Sequence, residues 1–321
     1  LKKKEQVILL LNRRGFSSFI KCKDCGYIEN CDNCNITLTY HLRGHLLRCH
    51  YCNFLKKAPR ICPECHGADI LFRGLGTQRV EDALKRQWPQ ARVVRMDLDT
   101  TIQKWSHDRI LQDFGQGKYD ILLGTQMIAK GLDFYRVTLV GVINADVGLL
   151  IPDFRSSEKT FQLLTQVAGR AGRKHLPGEV IIQTYSPNSH CLLCAQNHDF
   201  KRFFYGEISE RKELFYPPYG RLISVLFRGT DEKKVRQAAL NYAEVIKAMQ
   251  GLFKVLGPTP SPIARIQKKY RWQIILKGNK NKDPGGKTMR AAIRKSELLY
   301  KNDCKVRNVQ IAVDVDPVML I

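Results

Sequence analysis

The sequence predicts an α/β chain in three pieces: a mostly parallel sheet covered by helices, a cysteine-rich segment inserted into it, and a smaller α+β domain behind it. Three observations carry that. Eight cysteines stand in four C-x-x-C pairs, Cys22/Cys25, Cys31/Cys34, Cys49/Cys52 and Cys62/Cys65. Short β-rich runs alternate with helical patterns from Thr77 to Tyr185, which is the signature of βαβ units. Phe215-Tyr-Pro-Pro-Tyr-Gly220 then breaks the chain, because two prolines cannot continue a helix.

The elements follow in order. Gln6–Leu11 is an apolar run that ends at Asn12-Arg13-Arg14-Gly15-Phe16, a strand and a turn. Beyond the cysteines come a helix near Thr77–Gln87, a strand Arg92–Met96, a helix near Trp105–Phe114 and a strand Tyr119–Leu123. A strand Thr138–Asn144, a helix from Ser156 to Arg170 and a strand Gly178–Tyr185 complete the lobe. A helical connector runs from His190 to Leu214. The last domain reads as strand Leu222–Arg228, helix Glu232–Met249, strand Gln273–Lys277, helix Thr288–Tyr300 and strand Val309–Val315. The expected boundaries are 1–20 and 67–188 for the lobe, 21–66 for the insert, 189–216 for the connector and 217–321 for the C-terminal domain.

Each C-x-x-C pair puts two thiolates on one tight knuckle, and two knuckles complete a tetrahedral S₄ shell around zinc. Four knuckles predict two zinc ions. The stretch Lys21–His66 holds too few large aliphatic residues for a core of its own, so metal binding has to supply folding free energy. The competing reading is a disulfide framework, which requires an oxidising compartment. Nothing at the N-terminus resembles a signal peptide, and disulfides have no preference for four x₂ spacings in a row. Pairs 22/25 and 62/65 are expected to close around one ion and pairs 31/34 and 49/52 around the other. His41, His45, His50 and His66 are surplus to eight thiolates. Cys191 and Cys194 copy the spacing inside a helical stretch without a second pair; with Cys304, they read as ordinary thiols.

The chain of 321 residues carries a formal charge of +23. Eight ligand thiolates and two Zn²⁺ would leave about +19. Ser261–Asn308 concentrates it, with 14 Lys/Arg against three acidic residues. Such an excess marks a polyanion partner, nucleic acid first. No apolar run approaches the roughly 20 residues needed to span a bilayer, so a soluble intracellular protein with no membrane partner is expected.

Gln166-Val-Ala-Gly169-Arg170-Ala-Gly172-Arg173 ends a helix with two arginines whose guanidinium forks suit a phosphate. Gly124-Thr-Gln-Met-Ile-Ala-Lys130-Gly131-Leu-Asp133-Phe134 follows a buried strand. Ligands of α/β sheets bind outside the carboxyl ends of strands, so the two segments are expected to meet there. No complete Walker A loop is present. Gly286-Lys287-Thr288 is a near miss, with Asn281 where the first glycine belongs.

These two segments resemble motifs V and VI of superfamily 2 helicases. Asn12–Phe16 followed by a four-knuckle insert, Asn144-Ala-Asp-Val-Gly-Leu-Leu-Ile-Pro-Asp153-Phe-Arg155, Gly257–Arg265, Tyr270–Gln273 and Asp314–Pro317 resemble the primosomal protein N′ family of bacterial replication-restart helicases. Gln78 and Tyr135 depart from that family's usual Glu and Pro. The resemblance implies a RecA-like second helicase lobe interrupted by the two-zinc insert, and 3′→5′ DNA unwinding driven by ATP. It implies that the Walker A loop lies upstream, in a first lobe outside this chain, which alone should be inactive. Arg170 and Arg173 would be arginine fingers. Gly131 and Asp133 would sit near the nucleotide sugar and Gln166 near the γ-phosphate, with ATP and Mg between the lobes. Thr125 and Arg13 would contact DNA phosphates. Implied partners are fork and single-stranded DNA, single-stranded DNA-binding protein and other primosome proteins, in the bacterial cytoplasm at the nucleoid. Two other classes fit part of the sequence: a non-enzymatic zinc-dependent nucleic-acid-binding adapter, and an RNA helicase of the same superfamily.

Overall fold

The computed structural model describes residues 3–11, 19–33, 37–41, 44–49, 54–73, 77–97, 106–129, 134–151, 153–172, 177–249, 251, 253–302 and 308–320. Strand β1 (Gln6–Leu11) opens the chain. The insert carries β2 (Phe19–Cys22), β3 (Thr39–His41), β4 (Leu46–Arg48), β5 (Leu55–Lys57) and β6 (Ile70–Arg73). Then come α1 (Thr77–Gln87), β7 (Val93–Met96), α2 (Ser106–Gly115), β8 (Ile121–Gly124), a 3₁₀ turn at Gln126–Ala129, β9 (Val137–Ile143), α3 (Asp146–Leu149), α4 (Ser156–Ala168) and β10 (Glu179–Ile182). Helices α5 (His190–Gln196) and α6 (Phe200–Glu213) lead to β11 (Gly220–Gly229), α7 (Glu232–Lys247), β12 (Phe253–Ile266), β13 (Lys269–Asn279), α8 (Lys287–Asn302) and β14 (Gln310–Val315).

The chain divides into two compact units. The first comprises Leu1–Ser18, Arg73–Ile151 and Arg155–Phe204, and the second Phe19–Phe72, Pro152–Phe154 and Tyr205–Ile321. Helix α5 thus belongs to the first unit, although the sequence boundaries put it in a connector. The insert groups with the C-terminal domain.

The first unit is a five-stranded sheet in the order β10-β9-β1-β8-β7, every neighbouring pair parallel. Alternation along β1 explains its central place. Ile8 and Leu10 face Phe114 of α2 and Phe161, Leu164 and Val167 of α4. Val7 and Leu9 face the opposite way, toward Val80 and Leu84 of α1. A strand apolar on both faces is stable only with helices on both sides. Cys191 and Cys194 are buried in the first of these clusters, as the helical reading of that stretch expects.

In the second unit, the C-terminal domain runs β11-α7-β12-β13-α8-β14, with antiparallel sheet order β12-β13-β11-β14, a ferredoxin-like βαββαβ arrangement. Ile223, Val225, Phe227, Ile274 and Leu276 meet Val235, Ala239, Tyr242 and Ile246 of α7. Trp272 continues the Ile274–Leu276 face and packs against this core, with the Arg236 guanidinium 5.8 Å from its ring centre. Asp231 caps α7 by accepting from the Lys234 N–H. Strand β12 is not among the elements the pattern predicts, since Gly257-Pro-Thr-Pro-Ser-Pro reads as a breaker. It forms because β12 is an edge strand, where missing N–H donors cost no ladder bonds, and its register slips at the proline run. The insert contributes a β2–β6 stem and a β3-β4-β5 meander.

Candidate functional site

The stem brings two cysteine knuckles together. Strand β2 delivers Cys22, its partner β6 follows the Cys62–Cys65 turn, and the Lys23 N–H donates to the Asp69 carbonyl at 2.9 Å. Both turns use the same backbone bonds. Cys22 N–H donates to Tyr27 O (2.8 Å) and Gly26 N–H to Cys22 O (3.1 Å); Cys62 N–H donates to Gly67 O (2.8 Å) and His66 N–H to Cys62 O (3.0 Å). The residue after each second cysteine is left-handed, φ 78° at Gly26 and 57° at His66. Glycine takes that conformation without strain, which histidine does not.

The sulfur atoms of Cys22, Cys25, Cys62 and Cys65 all lie within 4.8 Å of one another. Cys22 and Cys65 sulfurs are 3.6 Å apart, as are those of Cys25 and Cys62. A tetrahedral zinc site with Zn–S of about 2.3 Å has edges of about 3.8 Å, so the donor set fits the ion in type, number and spacing. The protons left on the thiols are shared unevenly. Burial pushes the Cys62 thiol up, but the N–H groups of Cys65 and Glu64 and the neighbouring thiols outweigh it and bring it down to about 7. At Cys65 the Gly67 N–H acts downward, yet hydrogen bonds with Cys25 and Cys22 push it up to about 12. Four thiolates this close need a cation to balance them.

The remaining knuckles are described in part. Cys31 and Cys49 are buried. The Asn33 N–H donates to the Cys31 sulfur at 3.4 Å. Cys49 N–H donates to Phe54 O at 2.9 Å, the same bond that closes the first two turns. Cys34 and Cys52 lie outside the described residues. Glu29 carries a buried carboxylate held by Lys56 Nζ (2.5 Å) and the Tyr27 hydroxyl (3.0 Å), and Tyr27 is pushed up to about 12 by burial and that carboxylate.

In the lobe, α4 ends at Ala168, with Gly169 as its cap. Arg170 is partly buried and Gln166 exposed. Arg170 N–H donates to Val167 O, and Gly172 N–H to Val137 O at 3.1 Å. Gly172 sits at φ 69°; a Cβ on it would lie 2.4 Å from the Gly178 nitrogen, so the turn is pressed against the chain entering β10 and admits no side chain there. Val137 begins β9, and its own N–H bonds to Phe134 O. The arginine turn therefore lies at the amino edge of the sheet. That corrects the expectation that the two segments meet at the carboxyl ends. Only the start of the other segment is there, since Gln126–Ala129 follows the end of β8 and Thr125 O accepts from Ile128 N–H. Its end, Phe134, has returned to the amino edge beside Gly115 of α2. A helix that returns antiparallel to its strand has to finish on that side. Arg13, Gly131, Asp133 and Arg173 lie outside the described residues.

The Gly286-Lys287-Thr288 near miss is occupied from within. The Asp283 carboxylate accepts from the N–H groups of Lys287 (2.8 Å), Thr288 (2.9 Å) and Met289 (3.4 Å), the amides a phosphate would need. An acidic residue shortly before a helix was the available signal for this cap.

A parallel-sheet lobe with an arginine turn after α4, broken after its first strand by cysteine knuckles, defines the class: the C-terminal lobe of a helicase with a zinc-type insert. Family comparison agrees region by region. Residues 61–175 match the helicase conserved C-terminal domain, residues 31–57 the PriA DNA helicase Cys-rich region, and residues 212–318 the primosomal protein N C-terminal domain. Replication restart protein PriA of Bacillus subtilis (strain 168) is 49% identical over 319 residues, covering 99% of this chain and 39% of that protein. The protein of the same name from Synechocystis sp. is 45% identical over 280 residues, covering 86% of this chain and 34% of its own length. The chain belongs to the PriA replication restart family and spans about two fifths of the length of these relatives. Among the described residues, no helix is long and apolar enough to cross a membrane.

Proposed function

We propose that this chain forms the second lobe, zinc insert and C-terminal domain of an ATP-dependent 3′→5′ DNA helicase that restarts stalled replication forks and initiates primosome assembly. The observation that carries the reading is the 49% identity over nearly the whole chain to a replication restart protein. ATP and Mg would lie between this lobe and a first lobe that supplies the Walker A loop. Arg170 and Arg173 would place positive charge on the transferring phosphoryl group, with Gln166 near the γ-phosphate and Gly131 and Asp133 near the sugar. The fixed turn at Gly172 supports such a role, because stabilising a transition state requires charge held in place beforehand. The insert would hold two zinc ions, one at Cys22/Cys25/Cys62/Cys65 and one at Cys31/Cys34/Cys49/Cys52. Fork DNA, single-stranded DNA, single-stranded DNA-binding protein and other primosome proteins are the proposed partners, in the cytoplasm at the bacterial nucleoid.

The test joins this chain to a first lobe carrying a Walker A loop and measures fork-stimulated ATP hydrolysis. Arg170→Ala should lower turnover by about 10³ or more while zinc content and DNA affinity hold. If DNA affinity fell in parallel with turnover, Arg170 would be a nucleic-acid contact and the finger role would be lost. Unwinding of RNA forks in preference to DNA would replace this reading with the RNA-helicase one.

A further inference from the structure

Between β12 and β13 the chain turns in two residues, Gln267 and Lys268, with φ of 51° and 62°. Two successive left-handed residues make the tight hairpin turn whose twist matches its strands. The tip is anchored. Lys268 N–H donates to Asn33 O at 2.6 Å, and the Arg265 guanidinium donates to Asp32 O at 2.7 Å. Asp32 and Asn33 are the two residues between Cys31 and Cys34. Ile266 packs against the insert's apolar cluster, which includes Ile20, Leu38, Leu47, Cys31 and Cys49. Asn33 therefore gives its N–H to the sulfur of a candidate metal ligand and its carbonyl to the hairpin tip. Asn33 thus links the Cys31 sulfur directly to the C-terminal domain, beside the Asp32–Arg265 bond.

We infer that this contact is a metal-dependent clasp: the knuckle that begins at Cys31, closed on zinc, forms the seat for the β12–β13 tip, and the seated tip helps retain that zinc. The inference rests on the two-zinc reading of the insert. In a C-x-x-C turn the two middle residues take their shape from the two sulfurs gripped at its ends. A closed turn presents the carbonyls of Asp32 and Asn33 as a pair, whereas an open one lets both acceptors disperse into solvent. Linkage makes the effect reciprocal: whatever factor the closed knuckle adds to tip docking, the docked tip adds to zinc affinity. The clasp ties Arg265, Lys268, Lys269 and Arg271, the basic end of the hairpin, to the metal state of one site. Loss of that zinc would free a cationic strand pair.

The experiment uses the whole chain loaded with zinc. Elemental analysis first counts the metal, and a chromogenic chelator then follows its release. Two phases are expected, and Arg265→Ala with Ile266→Ser should speed one of them about tenfold while leaving the other unchanged. Hydrogen exchange supplies a second readout, because the Lys268 amide has its acceptor in the insert. Its protection should fall about tenfold or more in Cys49→Ser. Unchanged release in the tip variant, equal acceleration of both phases, or Lys268 protection indifferent to Cys49→Ser would each overturn the clasp. Fewer than two zinc ions in the unmodified chain would sink the two-zinc reading and the clasp with it, a result separable by the metal count alone.

Discussion

Fifteen described residues, among them Phe227, Tyr242 and Leu276, form the buried core of the C-terminal domain. The insert gathers six, and two of those are Cys31 and Cys49. The two regions lie in one compact unit, yet burial suffices for the first and not for the second. Its strands β3, β4 and β5 are three residues each, too short for side chains on one face to build a core. Thiol chemistry takes the place of apolar area there. The difference predicts that each region fails to a different insult.

The sharpest break of that contrast comes from the knuckles. Cys62→Ser should leave the insert close to unfolded, because structural zinc contributes on the order of 10 kcal/mol of apparent folding free energy. Amides of Lys23 and Leu47 should then exchange near unfolded rates while Val225 and Ile274 stay protected. Equal loss of protection in both regions would erase the distinction. Phe227→Ala is the converse. It should cost about 3–5 kcal/mol in denaturant unfolding of the C-terminal domain and leave zinc content untouched. A smaller loss, about 1 kcal/mol, is expected from Asp231→Ala, which frees the amide capped at the start of α7. A calorimetric shift in the insert's transition rather than the domain's would contradict it.

The finest difference is in pH response. Burial acts to raise the Asp283 carboxyl, but the amides of Lys287, Thr288 and Met289 outweigh it and hold it below its ordinary 3.8. A depressed carboxylate stabilises fully above its unfolded value and loses that contribution as pH falls through the folded one. Asp283→Asn should therefore flatten the C-terminal domain's thermal stability profile between about pH 5 and pH 2, with a pH-independent loss above that range that shrinks as pH falls through it. An identical acid limb in the variant would remove Asp283 from the account.

Much of the lobe was legible because its signals are local. Gln6–Leu11 and Thr77–Gln87 coincide with β1 and α1, since a short continuous apolar run marks the first and a 3.6-residue periodicity the second. The cysteine spacing likewise announces its own chemistry. What stayed hidden depends on distant parts of the chain. Whether a proline-rich run can be a strand depends on whether it is at an edge, and only the neighbours of β12 decide that. Which end of the sheet holds the Arg170 turn is written in the bond from Gly172 to Val137, not in the motif. The contact between Asp32 and Arg265 joins positions 233 residues apart and leaves no mark in either local pattern.

Strand β1 is made well before its partner strands and completed only when they arrive. Its partner in β8 begins with Val7 facing Ile121, so roughly 110 residues separate the first strand from the backbone that hydrogen-bonds to it. At a ribosomal pace of about 5–20 residues per second, Gln-Val-Ile-Leu-Leu-Leu waits on the order of ten seconds as a bare apolar ribbon. During that wait the cysteine segment emerges whole, with every ligand it needs already synthesised. The order of translation lets the metal-bound piece close first and shortens the loop that β1 must still span when its neighbours arrive.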